Sequence, residues 1–333
     1  MVSNSYLKYS SLGIGTYLGD INERIDKKIY KVLISSIENG INLIDTAPNY
    51  RCERSEKIVG RLVKNVRREK LIIGTKVGFL PYSDVVPANE KLFFTNKFIK
   101  SKIINPKNIY GDWQSFHPKY IEWQINESLK RLNTDYIDVY YLHNPEEILS
   151  YVSRDVFYDI ISKAFHFLDK MINDGKVRFI GISSWNGFLD TNKIDLNQIM
   201  SIAKSSLKGE KFKFLQVPYN LAMADHLTQK TQIDPLKNTK CSLMYLAASY
   251  KIDVITNAPL AHGRLVDIDY PRELKEIVGG LKSNVELALK FSISNPASNA
   301  SLIGVTNQKH LDEIITIMKS DLIPKETYLK ILS

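Results

Sequence analysis

Short apolar runs alternate with longer amphipathic segments along nearly the whole chain, and this alternation constrains the fold more than any other feature. Such runs are typical of buried strands. They are, in chain order, Leu12–Thr16, Ile41–Asp45, Leu71–Lys76, Tyr136–His143, Val177–Ser183, Lys213–Pro218, Ile252–Thr256 and Leu302–Val305. Strict alternation of strands and helices favours a parallel sheet. Eight strand–helix units with no obvious linker fit a closed (β/α)8 barrel better than two domains.

The segments that follow the strands carry apolar residues at the spacing of one helix face. Helices are predicted over approximately Ile25–Asn39, Glu53–Val63, Pro118–Leu132, Val156–Asn173, a segment that reaches about Ser205, Ser242–Tyr250, Ser283–Ser294 and Gln308–Lys319. We therefore expect residues 1–333 to form a single barrel domain.

The connection after the third strand, residues 78–117, is too long for a simple strand–helix loop. It contains several prolines and aromatic residues, including Phe93, Phe94, Tyr110 and Trp113. Long loops in compact domains are often functional. We expect this insertion to be a wall or lid whose aromatic residues contact a substrate. The segment beyond Lys319 is short, which also favours the insertion as the element that sets specificity.

The composition is that of an ordinary globular protein with a large core, since 44% of the 333 residues are hydrophobic and 24% are charged. The formal net charge is +9, but the lysines are spread along the chain. A nucleic-acid-binding protein usually has a concentrated basic patch or a recognisable module. We therefore expect a solvated basic surface and no nucleic-acid partner. The next best interpretation is that part of this charge helps to hold an anionic ligand.

Cysteine usage and hydropathy indicate in which cellular compartment the protein is expected. Cys52 and Cys241 form neither a disulfide framework nor a metal-ligand spacing, which favours a reducing environment. The first residues, MVSNSYLKYSS, lack the apolar core of a signal peptide. No run approaches the roughly 18 apolar residues of a membrane span. These features predict a cytoplasmic protein with no membrane partner, and they leave the oligomeric state open.

Polar residues stand at the ends of five predicted strands. They are Asp45, Lys76, His143, Ser183 and Gln216. The active sites of barrel enzymes lie at the carboxyl ends of the strands. A barrel would therefore bring all five side chains to one rim, although Gln216 alone is also compatible with an ordinary strand-end residue.

The residue types at this rim suggest acid catalysis at an oxygen atom. Tyr50 lies five residues after Asp45, and a phenol with a pKa near 10 is protonated at neutral pH. The ammonium of Lys76 would lower that pKa, and Asp45 would fix Lys76 and balance its charge. His143 could hydrogen-bond a carbonyl oxygen beside Tyr50. The group contains no evident nucleophile and no metal-ligand cluster.

In these residues and in the sequence around them, the chain resembles the aldo-keto reductases. Several sequence words match that family in the same order between residues 10 and 318, namely LGIGTY, DTAPNY, YIDVYYLH, GKVRFIGISSWN, LQVPYN, APLAHGRL and IGVTNQKHLDEI. The family's catalytic tyrosine, aspartate, lysine and histidine fall on Tyr50, Asp45, Lys76 and His143. The resemblance implies a barrel that binds NADP(H) without a Rossmann domain and reversible hydride transfer to aldehydes or ketones.

The resemblance also implies the residues that bind the cofactor and the substrate. Ser183 and Gln216 would hold the nicotinamide carboxamide, and the loop Leu260–Arg264 would wrap the pyrophosphate. The expected cofactor-binding residues are Gly15, Thr16, Asp45, Ser183, Ser184, Gln216, Leu260, Gly263, Arg264, Gly304, Val305, Thr306 and Asn307. The last four lie at the start of a predicted helix, where backbone N–H groups favour phosphate. Tyr17, Asn144 and Trp185 are the expected substrate contacts.

Departures from the family pattern affect the choice of cofactor. Asn257 stands where the family usually has an aromatic or bulky residue, so the ring that stacks on the nicotinamide is missing. His310 stands where some members have an arginine for the 2′-phosphate, and Gly304 where they have a lysine. NADP(H) is still expected, with Arg264 or Lys309 as replacements, and NAD(H) is possible.

Two further differences from the family pattern lie in loops that follow predicted strands at the same rim. Ser184 replaces the asparagine that is common in the family. Arg51 and Glu53 replace two glycines that commonly follow the tyrosine, so the loop is less permissive there and both side chains are expected to face the mouth.

Other functions remain open at this point. The glycines of residues 13–19 nearly match a dinucleotide fingerprint, but their spacing is one residue too long and no helix opens at the required place. Lys76 alone could be the Schiff-base lysine of a barrel lyase. The missing aromatic at Asn257 would suit a barrel that binds nicotinamide cofactor as a sensor or partner subunit without significant catalysis.

Overall fold

Ten strands are present in the computed structural model, which describes residues 6–111, 113–278, 281 and 283–332. They are β1 (Leu12–Gly15), β2 (Leu43–Asp45), β3 (Ile72–Val77), β4 (Ile137–His143), β5 (Val177–Ser183), β6 (Phe212–Pro218), β7 (Gln232–Asp234), β8 (Thr239–Cys241), β9 (Asp253–Asn257) and β10 (Ala300–Gly304). Eight of them close a barrel in the order β1-β10-β9-β6-β5-β4-β3-β2, and every neighbouring pair is parallel. The predicted (β/α)8 barrel is confirmed.

Helices surround the barrel. They are α1 (Glu23–Glu38), α2 (Arg54–Val63), α3 (Glu90–Phe94), α4 (Pro118–Leu132), α5 (Arg154–Asn173), α6 (Leu196–Ser206), α7 (Asp225–Thr228), α8 (Leu243–Ser249), α9 (Arg272–Val278), α10 (Asn284–Ile293), α11 (Gln308–Lys319) and α12 (Lys325–Leu332). The eight predicted helices are present with ends shifted by a few residues. The sequence did not indicate α3, α7, α9, α12 or the antiparallel hairpin β7–β8.

Helix α1 illustrates why these segments form helices on the barrel surface. The side chain of Asn22 caps the helix by accepting a hydrogen bond from the backbone N–H of Ile25. Ile29, Val32 and Leu33 lie on one face and are buried. This apolar face packs against the barrel, and most of the stability of such a helix comes from that packing.

The barrel interior is closed below the strand ends. Tyr141 lies inside it, and its ring is so close to two glycines that a Cβ atom would lie 2.6 Å from it at Gly181 and 3.1 Å at Gly74. Leu43, Ile72 and other apolar residues of the interior cluster complete the packing. The interior is filled at this level, and a cavity remains at the carboxyl ends of the strands.

The insertion after β3 packs outward, against expectation. Phe98, on a π-helix over Thr95–Lys100, is fully buried against Tyr120 and Trp123 of α4. Residue 112, inside the insertion, lies outside the described residues. Of the described residues of the insertion, Phe79 alone lines the cavity at the barrel mouth. The expectation that Phe93, Phe94, Tyr110 and Trp113 form the wall of that cavity is therefore wrong, because these rings pack on the insertion itself or lie elsewhere on the surface.

None of the described helices is both long and apolar enough to span a membrane. Within the same residues, no group of three or more histidine, cysteine, aspartate or glutamate side chains could hold a metal ion. The expected lack of a signal peptide concerns residues 1–11, of which residues 1–5 lie outside the described part.

Candidate active site

A cavity of about 480 Å³ opens at the carboxyl ends of the barrel strands. Its lining combines strand ends with residues of the loops that follow them. The lining residues are Gly15, Tyr17, Leu18, Asp45, Asn49, Tyr50, Phe79, His143, Asn144, Ser183, Ser184, Trp185, Gln216, Asn257, Ala258, Pro259, Leu260, His262, Gly263, Leu302, Ile303 and Gly304.

A chain of buried polar groups forms the floor of this cavity. The ammonium of Lys76 donates to both carboxylate oxygens of Asp45, at 2.7 and 2.6 Å, and to the backbone carbonyl of Thr46 at 3.1 Å. The amide of Gln216 donates to Asp45 at 2.7 Å, and the hydroxyl of Ser183 donates to the Gln216 oxygen at 2.8 Å. All three protons of the ammonium are therefore used. The barrel brings together four of the five predicted strand-end groups in one hydrogen-bonded chain.

The strand register explains why these side chains meet. His143 pairs with Ser183 across β4 and β5, and Ser183 pairs with Gln216 across β5 and β6. Three polar strand ends therefore lie side by side at the same height. Asp45 ends β2 on the far side of the barrel and reaches Gln216 across the opening.

Tyr50 lies above the buried ion pair. The Lys76 nitrogen is 4.8 Å from the centroid of the Tyr50 ring. The expectation that the pKa of the phenol is lowered beside Lys76 is wrong for this state, because other effects dominate. Burial, followed by electrostatic interaction with Asp45 and with Tyr17, raises the pKa of Tyr50 well above 10, and the charge of Lys76 is balanced by Asp45. The phenol is thus protonated at every physiological pH.

His143 is close to Tyr50 and is held without charge. Its ring centroid lies 5.9 Å from that of Tyr50 and 4.9 Å from that of Phe79, both edge-on. Burial and the nearby Lys76 lower the pKa of His143 well below 6.5. A neutral imidazole beside a protonated phenol can hydrogen-bond an oxygen atom without competing for the proton.

The turn after Tyr50 is strained, and its side chains do not face the mouth as expected. Arg51, Cys52 and Glu53 all adopt left-handed conformations, with φ of 50°, 55° and 68°. The guanidinium of Arg51 donates to the carbonyls of Gly19 and Asp20, beneath the loop that follows β1. It also forms an ion pair with Asp26 of α1. The position of this buried charge is fixed by those carbonyls.

Glu53 points away from the cavity toward the outer helices. Its carboxylate accepts from Lys97 of the insertion at 3.0 Å and from Arg131 of α4 at 3.2 Å. The side chain therefore joins the insertion to the barrel surface and has no place in the mouth.

The turn after β5 depends on a residue that the sequence did not indicate. Ser184 donates its hydroxyl hydrogen bond to Glu146 at 2.9 Å and accepts one from the backbone N–H of Gly187. The same Glu146 oxygen accepts from the backbone N–H groups of Trp185 and Asn186. Glu146 therefore fixes the turn that carries Trp185 into the cavity. A buried carboxylate just after a strand end, at the start of a short 3₁₀ turn, was the available signal.

The expected cofactor residues divide into two groups. Eight of them line the cavity, namely Gly15, Asp45, Ser183, Ser184, Gln216, Leu260, Gly263 and Gly304, and so do the three expected substrate contacts Tyr17, Asn144 and Trp185. Thr16, Arg264, Val305, Thr306 and Asn307 do not line it. Thr16 is buried and donates to the Asp45 carbonyl, and Asn307 caps α11. A cofactor that contacts these five residues would therefore extend beyond the cavity onto the surrounding surface.

One side of the cavity offers groups that suit the nicotinamide end of a dinucleotide. Gly15 and Gly304 bring backbone to the lining, where a Cβ on Gly304 would collide with Leu18 at 2.6 Å. Helix α11 begins four residues beyond Gly304, and the amino end of a helix favours phosphate groups. The side-chain oxygen of Asn257 is buried there and has no hydrogen-bond partner among the described residues. An unpaired acceptor of this kind suits the amide or hydroxyl donors of such a ligand.

The fold and the site together define a barrel oxidoreductase class in which a tyrosine, a lysine, an aspartate and a histidine meet at the strand ends. The chain belongs to the aldo/keto reductase family, since the family model matches residues 11–331. A relative in Escherichia coli strain K12, NADH-specific methylglyoxal reductase, is 30% identical over 215 residues, which are 60% of this chain and 58% of the relative. The chain thus spans about half the length of the first curated relatives that it matches.

Solved structures share the fold over their whole length. An aldo-keto reductase from Bacillus halodurans in its holo form superposes with a TM-score of 0.68 at 22% identity, covering 99% of this chain and 93% of the other. An aldo/keto reductase from Klebsiella pneumoniae in complex with NADP and acetate gives 0.65 at 18% identity, with 98% and 93% covered. At these identities the likeness concerns the fold alone.

Proposed function

We propose that this protein reduces aldehydes or ketones reversibly by hydride transfer from NADP(H), with Tyr50 as the proton donor. The observation that carries the proposal is the protonated phenol of Tyr50 between a neutral imidazole and a buried ion pair, all at the mouth of one cavity. General acids contribute roughly 10²–10⁴-fold to such reactions.

Each residue of the floor has a separate task in this proposal. The bound dinucleotide supplies the hydride. His143 donates a hydrogen bond to the carbonyl oxygen and orients it toward the hydroxyl of Tyr50. Tyr50 gives its proton to that oxygen as negative charge develops there. Lys76, held by Asp45, lies against the Tyr50 ring and stabilises the phenolate that is left behind.

The remaining polar groups orient the cofactor. Ser183 and Gln216 lie next to each other in the lining and would hold the carboxamide of the nicotinamide. Gln216 uses one N–H for Asp45, so its second N–H is left for the ligand. This link would also connect the placement of the nicotinamide to the position of the catalytic carboxylate.

NADP(H) is the preferred cofactor in this proposal, and NAD(H) is the alternative. The chain carries a net charge of +9, and Arg264 and Lys309 lie on the exposed segments near the expected adenosine end. The relative from E. coli is named NADH-specific, whereas one Klebsiella structure contains NADP. The basic side chains would favour the cofactor that carries a phosphate on its adenosine ribose.

The substrate is proposed to be a small uncharged carbonyl compound or the corresponding alcohol. Among the described residues that line the cavity there is no lysine and no arginine, and the carboxylate of Asp45 is balanced by Lys76. An anionic substrate would therefore find no partner for its charge. No nucleic-acid or membrane partner belongs to this proposal.

Fluorescence titration with NADPH and NADH, followed by an aldehyde panel read by nicotinamide absorbance, tests the proposal. NADPH is expected to bind more tightly than NADH, and at least one small aldehyde is expected to be reduced. Equal affinities, or a preference for NADH, would refute the cofactor assignment. Tight cofactor binding without turnover of any carbonyl compound would instead support a sensor or partner subunit, a function that the missing ring at Asn257 favours.

A further inference from the structure

Three aromatic rings form a continuous bridge over the cavity. The rings of His262 and Trp185 are stacked, with centroids 5.9 Å apart and planes inclined by 19°. His262 also meets Tyr17 edge-on at 6.2 Å, and Tyr17 meets Tyr50 edge-on at 5.1 Å. All four residues line the cavity. Aromatic pairs at these separations attract each other beyond the burial of their area.

The strand order shows where this bridge runs. Tyr17 follows β1 and Trp185 follows β5, and these two strands lie opposite each other in the closed ring of eight. His262 follows β9, which lies between β1 and β5 on one side of that ring. The bridge therefore crosses the mouth along a diameter of the barrel.

This diameter separates the two functions of the cavity. On one side lie β2, β3 and β4, which carry Tyr50, Lys76 and His143. On the other side lie β6, β9 and β10, whose ends carry Gln216 and Gly304. A carbonyl compound that approaches Tyr50 on the first side meets Phe79, Asn49 and Asn144, which complete the lining there.

The backbone places the His262 ring at a cost. Ala258, Ala261 and His262 have φ of 55°, 47° and 57°, and Gly263 has φ of 90°. Residues other than glycine rarely adopt this left-handed region of the backbone. Where they do, the surrounding structure holds them, and such residues cluster at ligand sites. The contacts of His262 with Trp185 and Tyr17 are the interactions that hold this exposed ring over the mouth.

We propose that His262 is a specificity-determining residue of the carbonyl site. By holding Tyr17 and Trp185 in a bridge, its ring limits the thickness of the compound that can reach Tyr50, so that thin or flat carbonyl compounds are selected. This inference rests on the proposed reductase function. His262 is not part of the catalytic group, and the family resemblance assigns its loop to the pyrophosphate without giving the His262 side chain a role of its own.

The test compares three uncharged aldehydes of increasing thickness, namely propanal, benzaldehyde and cyclohexanecarbaldehyde, with NADPH as the reductant. Wild-type kcat/KM should be lowest for cyclohexanecarbaldehyde. His262→Ala should raise kcat/KM for that compound about tenfold relative to propanal, which is within the range of pocket-shape discrimination. His262→Phe keeps a ring on Trp185 and should restore the wild-type ratio. His166→Ala, on the exposed face of α5, is the matched control.

The outcomes separate this inference from the proposed function. If wild type reduces propanal and His262→Ala leaves the three-aldehyde ratios unchanged, the inference fails while the proposed function stands. A change in NADPH affinity alone would assign His262 to the cofactor and would also overturn it. If wild type reduces none of the aldehydes, the proposed function fails. In that case the bridge itself is tested by tryptophan emission, which should change in His262→Ala and should not change when the same substitution is made in Trp185→Phe.

Discussion

The floor and the rim of the cavity are built in different ways. The floor consists of strand ends, where Lys76 is fully buried and Asp45, Gln216 and Ser183 are nearly so. The rim consists of loop residues, of which Tyr17 is 56% and Trp185 38% exposed. Strand ends are fixed by the barrel register, whereas loop side chains are fixed by local turns and by one another. The floor can therefore hold chemistry constant while the rim changes the substrate.

A second difference lies within the rim itself. The insertion after β3 spans about 40 residues, yet its described part contributes only Phe79 to the cavity. The loop after β9 is far shorter and contributes Ala258, Pro259, Leu260, His262 and Gly263. Loop length is therefore a poor guide to which loop covers a site. The direction in which the apolar side chains pack is the better one.

The largest effect is expected from Tyr50→Phe, which removes the proton of the floor and keeps the ring. Single-turnover reduction of an aldehyde should slow by roughly 10²–10⁴-fold, because phenylalanine cannot supply the proton that the hydroxyl of Tyr50 gives in the proposed mechanism. NADPH affinity should change little, since the ring and its contacts with Tyr17 and His143 are retained. Near-normal turnover, with chemistry shown to limit the rate, would refute both the proton donor and the proposed mechanism.

Lys76→Met should reduce both activity and stability. It leaves Asp45 buried without its cation, and breaking one partner of a buried pair costs about 3–5 kcal/mol of unfolding free energy. Lys76→Met combined with Asp45→Asn should recover much of the stability, measured by urea unfolding, without recovering the rate. Lys97→Met is the matched control on the outer surface, where Glu53 retains Arg131. An equal loss of rate in that control would show that the ion pair acts through folding alone.

The sequence predicted the floor well because each of its residues follows from strand position. Asp45, His143 and Ser183 end their strands, Lys76 and Gln216 lie one and two residues before the ends of theirs, and in a parallel barrel all strand ends meet at one rim. The register then decides the neighbours without any further information.

The rim could not be predicted in the same way. Arg51 and Glu53 turn away from the mouth because three successive residues adopt left-handed conformations, which residues other than glycine seldom do. The role of Glu146 depends on three hydrogen bonds to a turn some forty residues later in the chain. The bridge of His262 depends on the relative position of three loops. Such contacts are long-range and have no local sequence pattern.

A pair of phenylalanines from the insertion tests the difference between lining and support. Phe79 lines the cavity edge-on to His143, whereas Phe98 is buried against α4. Phe79→Ala should change kcat/KM ratios between thin and thick aldehydes by a few-fold, within the range of hydrophobic-pocket contacts. Phe98→Ala should leave these ratios unchanged and lower the unfolding free energy by about 3–5 kcal/mol. Altered ratios in Phe98→Ala would show that the insertion acts on the cavity after all.

The smallest effect is expected from a change of pH, because burial keeps His143 neutral and Tyr50 protonated over the usual range. Burial and Lys76 lower the pKa of His143 well below 6.5, so the imidazole stays neutral as pH falls through the usual histidine range. Burial, Asp45 and Tyr17 raise the pKa of Tyr50 well above 10, so the phenol keeps its proton as pH rises. Single-turnover reduction should therefore be nearly constant from about pH 6.5 to the start of an alkaline decline.

Lys76 should determine where that decline begins. Burial lowers the pKa of Lys76 below 10.5, although Asp45 opposes this shift, whereas the pKa of Tyr50 is raised well above 10. We therefore expect the decline to begin with the loss of the ammonium proton. Asp45→Asn removes the opposing charge, and the pKa of both Lys76 and Tyr50 should fall. The alkaline limb of the pH profile should then move to lower pH, whereas substitutions of the rim such as His262→Ala should leave it in place. An acid limb centred near pH 6.5, or an alkaline limb that moves with the rim substitution, would contradict the separation of floor and rim.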